Sequence, residues 1–540
     1  MAPILSRTWT RLENHPWLTM TLAVLAQTWF TIGNRALWFS DEVRYANAYQ
    51  NLVQNGKWMV LSLNGQPYPD KPPVYFWFLW LIDKLTPADM PQVFFIGAAL
   101  SGLLFIFAAY RLSRTLRFDK AVSLGAALIL LSTFFLAGLF HYSRMDLMFA
   151  ALIVLGHGCL YRAFTEEKQG CWPLCAFLLG GVATLIKGPL GFLFPLLTAF
   201  IWLAWRGELR KFFSRQMGAG LLAMLAMIGA WVAGVVLAEG PDFLLNTVLG
   251  KHVIQRATRT FHHRESVWYY FIAFPLAWLP WTLAAFAAPV GKYLSLSRWG
   301  EMWAARREAG PRAFLWIMFA ATFIFLSSLS GKVLIYILPM FPPLALLTAD
   351  FMLTGEEKRV TRLWALIAAV WLAAGTGLLI GGDMLPFPVP LRGLGLSACV
   401  LLMGGGGLLL LRARGSRACL LTAAMAMILW IYPVGLLVAP SLDDAMSPKR
   451  QATIIKEYAD AGYEPHAIKI YSGIFAYYSG YDLIETNHLD ELVETVRDKE
   501  KVVLSVRETQ WPHYKPQLPG FRIVDRQYIA GMVYLIAVKG

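Results

Sequence analysis

The sequence predicts a mostly α-helical, polytopic membrane protein carrying a small α/β domain at its C-terminal end, and three observations predict it. Of 540 residues, 57% are hydrophobic and only 15% are charged, with a mean hydropathy of +0.50; a soluble globular chain carries roughly 25% charged residues. Across positions 1–440 the apolar residues come in long stretches, many of them sized to cross a bilayer. From about residue 441 the composition shifts to charged residues interleaved with short apolar runs. The expected division is therefore a membrane domain over 1–440 and a soluble domain over 441–540.

The formal charge of +14 does not read as nucleic-acid binding. The basic residues form short clusters between apolar stretches rather than one stripe, which is how a membrane protein sets its orientation. The five cysteines (Cys159, Cys171, Cys175, Cys399 and Cys419) lie in or beside apolar segments and share no metal-ligand spacing. They are expected to be buried small hydrophobes.

Taken in order, Arg7 and Arg11 precede an apolar stretch over 17–32, read as a retained first span with its basic end inside. Further spans begin near Pro91, Ala121, Leu147, Trp172, Gly188, Gly218, Trp268, Ala313, Val333, Leu363, Leu391 and Cys419, giving about thirteen. Alternate loops carry the basic clusters: Arg111 to Lys120, Arg206 to Arg215, Lys292 to Arg312, Lys358 to Arg362, and Arg412 to Arg417. With these on the side of the N-terminus, the tail falls outside. Segment 74–85 is too short to span and ends in Asp83 and Lys84, so it reads as an interfacial or re-entrant helix. The loops 38–90 and 239–267 then share the outer face with the tail. In the tail, 448–461 and 489–499 read as helices; 468–471, 502–506, 521–524 and 533–538 read as strands. The glycine run 404–407 sits inside a span, where close helix packing explains it.

Candidate chemistry collects on the outer face. In Trp38-Phe-Ser-Asp-Glu-Val-Arg-Tyr45, Ser40 is placed to cap a helix, and Asp41 and Glu42 suit its positive end. Arg44 and Tyr45 follow Asp41 at three and four residues, on the same helical face, where an acid can orient or deprotonate an acceptor. In Gln66-Pro-Tyr-Pro-Asp-Lys-Pro-Pro73, four prolines fix the backbone and present Tyr68, Asp70 and Lys71; Lys71 is a phosphate ligand or an interface anchor. Asp146, in His141-Tyr-Ser-Arg-Met-Asp146, sits at the mouth of a span, where an acid is costly and so functional by default.

Lys187 lies in the turn Leu185-Ile-Lys-Gly-Pro189, and Lys332, in Ser330-Gly-Lys332, precedes Tyr336; both lysines are site candidates or snorkelling anchors. The loop holding His252-Val-Ile-Gln-Arg256, Phe261-His-His-Arg264 and Trp268-Tyr-Tyr270 adds anion-binding arginines. One of its adjacent histidines with Asp70 makes a partial set of ligands for a divalent metal. The mid-span positions are almost wholly apolar and no repeat is visible, unlike a transporter with a midplane site.

The ordered set DE-x-RY, DKPP, R-x-D, IKGP, HVIQR…HHR…WYY and SGK-x-x-x-Y-x-LP resembles the aminoarabinose transferases that modify lipid A. That family lies within the polyprenyl-phosphate-dependent GT-C glycosyltransferases and is related to protein O-mannosyltransferases. The resemblance covers roughly the first 350 residues; later segments match in architecture alone. It implies inverting transfer of 4-amino-4-deoxy-L-arabinose, from undecaprenyl phosphate to a lipid acceptor such as lipid A, at the periplasmic face of a bacterial inner membrane.

By the same resemblance Asp41 is the main catalytic carboxylate, Arg44 and Tyr45 are its pocket neighbours, and Asp146 is a second pocket acid. Tyr68 and Lys71 contact the donor, with Lys71 on the carrier phosphate; Tyr336 is a pocket tyrosine and His263 a metal-associated histidine. Lys187 and Arg264 join the expected donor-binding set, and Asp70 with His263 the metal set. Asp70 stands where the family commonly has glutamate. Another sugar with another glycan or protein acceptor is the alternative within the enzyme class; a flippase or transporter of lipid-linked sugars, or a silent scaffold of the same fold, are the alternatives outside it.

Overall fold

The computed structural model describes residues 2–243, 245, 265–287, 296–308 and 310–540. Each of the thirteen expected spans coincides with a helix, but their lengths differ. Among the described residues, eight helices are long and apolar enough to cross a membrane by length and composition: Gln92–Thr115, Asp146–Thr165, Arg215–Glu239, Pro311–Ser328, Leu334–Thr354, Glu357–Gly381, Leu394–Arg414 and Ser416–Ser441. A pair, Tyr269–Ala277 and Trp281–Ala287, is bent by 109° where Pro280 interrupts the helix and would make a ninth. Lys120–Leu131, Trp172–Lys187 and Leu190–Arg206 are apolar but shorter, and the first expected span is the thirteen-residue helix Pro16–Thr28. Apolar content alone therefore counts more spans than helix length supports.

Through the first half the helices are α1 (Ala2–Asn14), α2 (Pro16–Thr28), α3 (Asp41–Asn55), α4 (Val74–Leu85), α5 (Gln92–Thr115), α6 (Lys120–Leu131), α7 (Phe134–Leu139), α8 (Asp146–Thr165), α9 (Trp172–Lys187), α10 (Leu190–Arg206) and α11 (Arg215–Glu239). Helix α4 has the bounds expected of the interfacial segment. Chain direction sorts the ends of the bundle. The basic turns after α5, α10 and Leu394–Leu411 fall at one end, whereas α5 and α8 begin, and α9 and α11 finish, at the other. Trp231 on α11 donates its indole N–H to Met59 O at 3.1 Å, tying that second end to the loop between α3 and α4.

Packing explains the glycine run. A Cβ on Gly404 would stand 2.8 Å from the Trp371 ring, and one on Gly405 would stand 3.0 Å from Ala368 O, so these helices meet because side chains are missing. The cysteines depart from expectation: only Cys419 is buried, while Cys171 and Cys399 are exposed on the outside of the helices. In a bundle with an apolar exterior, exposure costs a thiol nothing. That exterior is pronounced on Arg215–Glu239, where Leu222 and Leu237 are among the outward-facing side chains.

Strands β1 (Ser62–Leu63) and β2 (Gln66–Pro67) pair antiparallel between α3 and α4, and the tail holds a five-stranded sheet, β3 (Glu464–Ile468), β4 (Ile484–Thr486), β5 (Val502–Arg507), β6 (Arg522–Ile529) and β7 (Met532–Lys539), in the order β4-β3-β5-β7-β6. Its first three neighbours run parallel and the last two antiparallel. Ile468, Val502, Leu504 and Val506 face one buried cluster with Leu492 of helix Leu489–Val496. Ala467, Val503, Ile536 and Val538 face the other way, into the cluster that continues through the membrane helices. Two-sided burial explains why Val502, Val503 and Leu504 are consecutive apolar residues, with Val506 following a buried Ser505. The strand expected at 468–471 lies instead at Glu464–Ile468, in register with β5, and β4 was not foreseen because three residues carry too little pattern.

Candidate active site

Two acids begin helices at the same end of the bundle. Asp41 is the first residue of α3 and Asp146 the first of α8, so each carboxylate sits against a positive helix terminus. Ser40 precedes α3 but makes no side-chain cap, against expectation; its carbonyl accepts from Arg44 N at 3.3 Å instead. Lys187 is the last residue of α9, where a helix C-terminus favours a cation, and Gly188 turns the chain at φ +118.

One guanidinium joins the acids. Arg144 Nη2 lies 2.9 Å from Asp41 Oδ2, and its Nε donates to Asp146 Oδ2 at 3.0 Å. The other Asp146 oxygen is paired with the Lys187 ammonium group. On the opposite flank Arg44 Nη1 is 3.9 Å from Asp41 Oδ1, and its guanidinium stands 5.4 Å from the centre of the Tyr68 ring. The result is a continuous line of alternating charge: Arg44, Asp41, Arg144, Asp146, Lys187. Burial works most strongly against the Arg144 charge, but the Asp41 carboxylate together with Tyr45, Tyr142 and Tyr336 outweighs it, so its proton is held above the ordinary arginine range. Tyr45 lies buried under this line with its ring 5.7 Å from Phe76. Burial first, and the Asp41 charge second, keep its phenol protonated well above the usual range, so it can serve as a donor but not as a base.

One cavity borders the line at Asp146 and Lys187, and a second holds Lys71. One, of roughly 450 Å³, is lined by Asp146, Phe149, Lys187, Phe194, Ile335 and Tyr336 among others; the Lys187 ammonium is 4.3 Å from the Tyr336 ring centre. A smaller one, of roughly 220 Å³, has Lys71 beside Met59, Pro69 and Trp231. The Lys71 and Lys187 ammonium groups lie near enough to repel each other, which suits a site built for an anion.

The fold therefore gathers Asp41, Arg44, Tyr45, Tyr68, Asp146, Lys187 and Tyr336 into one neighbourhood, with Lys71 at its edge. Arg264 and His263 lie outside the described residues, as do His252 and Arg256. Asp70 shares the proline-rich loop with Lys71. Among the described residues no group of three His, Cys, Asp or Glu side chains is placed to hold a metal, so no step is routed through one. Lys332 is buried away from the line, donating to Glu265 O at 3.0 Å and to Leu329 O; it pins a loop rather than anchoring at an interface.

The arginine that bridges the two acids was missed as a site residue. Its R-x-D spacing was visible, but nothing local says that Asp41, 103 positions earlier, folds onto it. Glu42 also departs from its reading as half of an acidic helix start. Its carboxylate receives Arg35 in a two-pronged pair at 2.7 and 2.8 Å, Trp38 N at 2.9 Å and Ser143 N at 2.7 Å. Arg35 is in turn covered by the Trp38 ring at 4.2 Å and the Phe95 ring at 4.7 Å.

Comparison with known proteins matches this architecture. Residues 70–233 fit the family profile of dolichyl-phosphate-mannose-protein mannosyltransferase. The undecaprenyl phosphate-α-4-amino-4-deoxy-L-arabinose arabinosyl transferase 1 of Sodalis glossinidius is 30% identical over 384 residues, covering 67% of this chain and 65% of that protein. The corresponding transferase of Pseudomonas aeruginosa is 30% identical over 324 residues, 58% of this chain and 56% of the relative. The chain thus spans somewhat under two thirds of these relatives in sequence. The crystal structure of ArnT from Cupriavidus metallidurans bound to undecaprenyl phosphate superimposes with a TM-score of 0.78, covering 97% of this chain and 98% of that one at 19% identity. The chain is thus similar in sequence to these arabinosyl transferases and shares the fold of ArnT. Its tail shares in that fold, since the structural match runs nearly end to end whereas the sequence match does not.

Proposed function

We propose that this protein transfers a sugar, 4-amino-4-deoxy-L-arabinose in the first instance, from undecaprenyl phosphate to a lipid acceptor such as lipid A at the periplasmic face of a bacterial inner membrane. The observation that carries the reading is the charged line from Arg44 to Lys187 beside one cavity, with a second holding Lys71, at the end of the bundle opposite the basic turns. Basic turns on the cytoplasmic side put that end, and the tail, outside.

In this reading Lys71 and Lys187 attract the carrier phosphate, which is the leaving group and gains charge as the glycosidic bond breaks. Asp146 faces the larger cavity, where its carboxylate suits an amino group on the sugar. Asp41, held from two sides by Arg44 and Arg144, orients the acceptor and stabilises positive charge developing at the anomeric carbon. A phosphate acceptor oxygen is already nucleophilic at neutral pH and needs alignment more than deprotonation.

The test is sugar transfer by purified protein supplied with undecaprenyl-phosphate aminoarabinose and lipid A, read by mass spectrometry beside Asp41→Asn. A mass gain of one aminoarabinose that disappears in the variant is the expected result. No gain from folded wild type that still binds undecaprenyl phosphate would discard this sugar or acceptor. The related mannosyltransferase profile over 70–233 then makes a hexose donor the next substrate to assay.

A further inference from the structure

The four residues that lead into α3 are gripped by the tail. Ala36 N donates to Asp443 Oδ2 at 2.8 Å, and the Trp38 indole N–H donates to Asp443 Oδ1 at 2.8 Å. Leu37 N donates to the Tyr478 hydroxyl at 2.7 Å, and Leu37 O accepts from Ser447 Oγ at 2.7 Å. Phe39 N donates to Met446 O at 2.8 Å. Every residue from Ala36 to Phe39 is thus bonded to a partner some 400 positions away, and Asp41 follows two residues later. Two further contacts extend the grip, the second of them past Asp41: Phe39 packs edge-on to Tyr471 at 5.3 Å, and Arg44 Nε donates to Ser472 O at 3.1 Å.

We propose that Asp443 and Tyr478 are positioning residues for Asp41, fixing the 36–39 segment from the tail so that the carboxylate meets Arg144 and Arg44 in one geometry. Both oxygens of Asp443 are committed to this segment, one to its backbone and one to its indole. The bundle holds the same stretch through Trp38 N on Glu42, Ala36 O on Arg35 Nη1 and Trp38 O on Val43 N, which leaves the Ala36 and Leu37 amides to the tail. An amide deprived of its acceptor favours displacement of the segment, and a displacement of about 1 Å at a reacting group can cost on the order of a hundredfold in rate. The tail is then part of the active site's scaffold rather than a cover over it.

The experiment uses the full chain in detergent. Hydrogen exchange over 36–44 is compared in wild type, Asp443→Asn and Tyr478→Phe, alongside transfer kinetics. Asparagine offers one oxygen where two donors arrive and turns an N–H toward the other. Faster exchange across 36–39, with kcat down about ten- to hundredfold and donor KM within about twofold, is the expected result. Unchanged exchange or unchanged kcat in a folded Asp443→Asn protein overturns the proposal. Should that variant fail to fold, Tyr478→Phe, which leaves both carboxylate bonds in place, carries the test: expected are faster Leu37 exchange and a smaller fall in kcat. The kinetic arm rests on the transferase reading and the exchange arm does not. Absence of transfer by wild type would count against that reading, while exchange alone would still decide whether the tail holds the loop.

Discussion

Asp41 and Glu42 are neighbours in sequence with opposite uses. The Glu42 side chain is 0% exposed, and its two oxygens are taken by Arg35 and by the Trp38 and Ser143 amides. The Asp41 side chain is 23% exposed and is approached by the guanidinium groups of Arg44 and Arg144. A carboxylate saturated by backbone donors is a fastener, because nothing else can reach it. A carboxylate held by side chains and partly exposed keeps a surface that a substrate can reach. The same chemical group, one position apart on a helix's first turn, is therefore a buried fastener in one case and an accessible anion in the other.

The sharpest way to break the comparison is to neutralise each acid separately. Asp41→Asn should lose at least about a thousandfold in sugar transfer while its thermal midpoint and undecaprenyl phosphate binding stay close to wild type. Glu42→Gln should do the reverse, destabilising by about 3–5 kcal/mol because the Arg35 charge stays buried without its counter-ion; thermal unfolding in detergent measures it. Comparable stability losses in both variants would end the distinction.

Arg144→Lys sharpens the picture of the open site. A single ammonium cannot span both Asp41 and Asp146, so kcat should fall on the order of ten- to a hundredfold with little change in stability. Lys71→Ala should weaken undecaprenyl phosphate binding by about tenfold, read by titration, and unchanged affinity would remove Lys71 from the phosphate site. The smallest effect belongs to the far end of the bundle. Arg412→Gln with Arg414→Gln, in the exposed basic turn after Leu394–Leu411, should leave transfer within about twofold.

Much of the site was legible because its pieces are locally encoded. Asp41, Asp146 and Lys187 each stand at a helix end marked by an apolar run, and an ionisable group beside a span is conspicuous. Four prolines announced the rigid loop carrying Tyr68 and Lys71. Arg144 escaped because a bridge between two carboxylates is a property of two helices meeting. Lys332 was left between two readings because a buried ammonium bonded to carbonyls looks, in sequence, like any lysine at a span's mouth. Hydropathy located every expected span on a helix but not its length, since α6, α9 and α10 are apolar yet only 12, 16 and 17 residues long.

The sequence by itself determined the class of molecule, the alternation of basic turns, the interfacial α4 and the set of side chains from which a site could be made. These depend on composition and on periodicities of a few residues, which any chain carries in its order. Only the tertiary structure decided which acid stays accessible and which fastens, that Arg144 joins Asp41 to Asp146, and that Asp443, after the last membrane helix, bonds the backbone just ahead of Asp41. Those outcomes are set by pairings across 100 to 400 positions, and hydrogen-bond geometry at such separations exists only once the helices have packed.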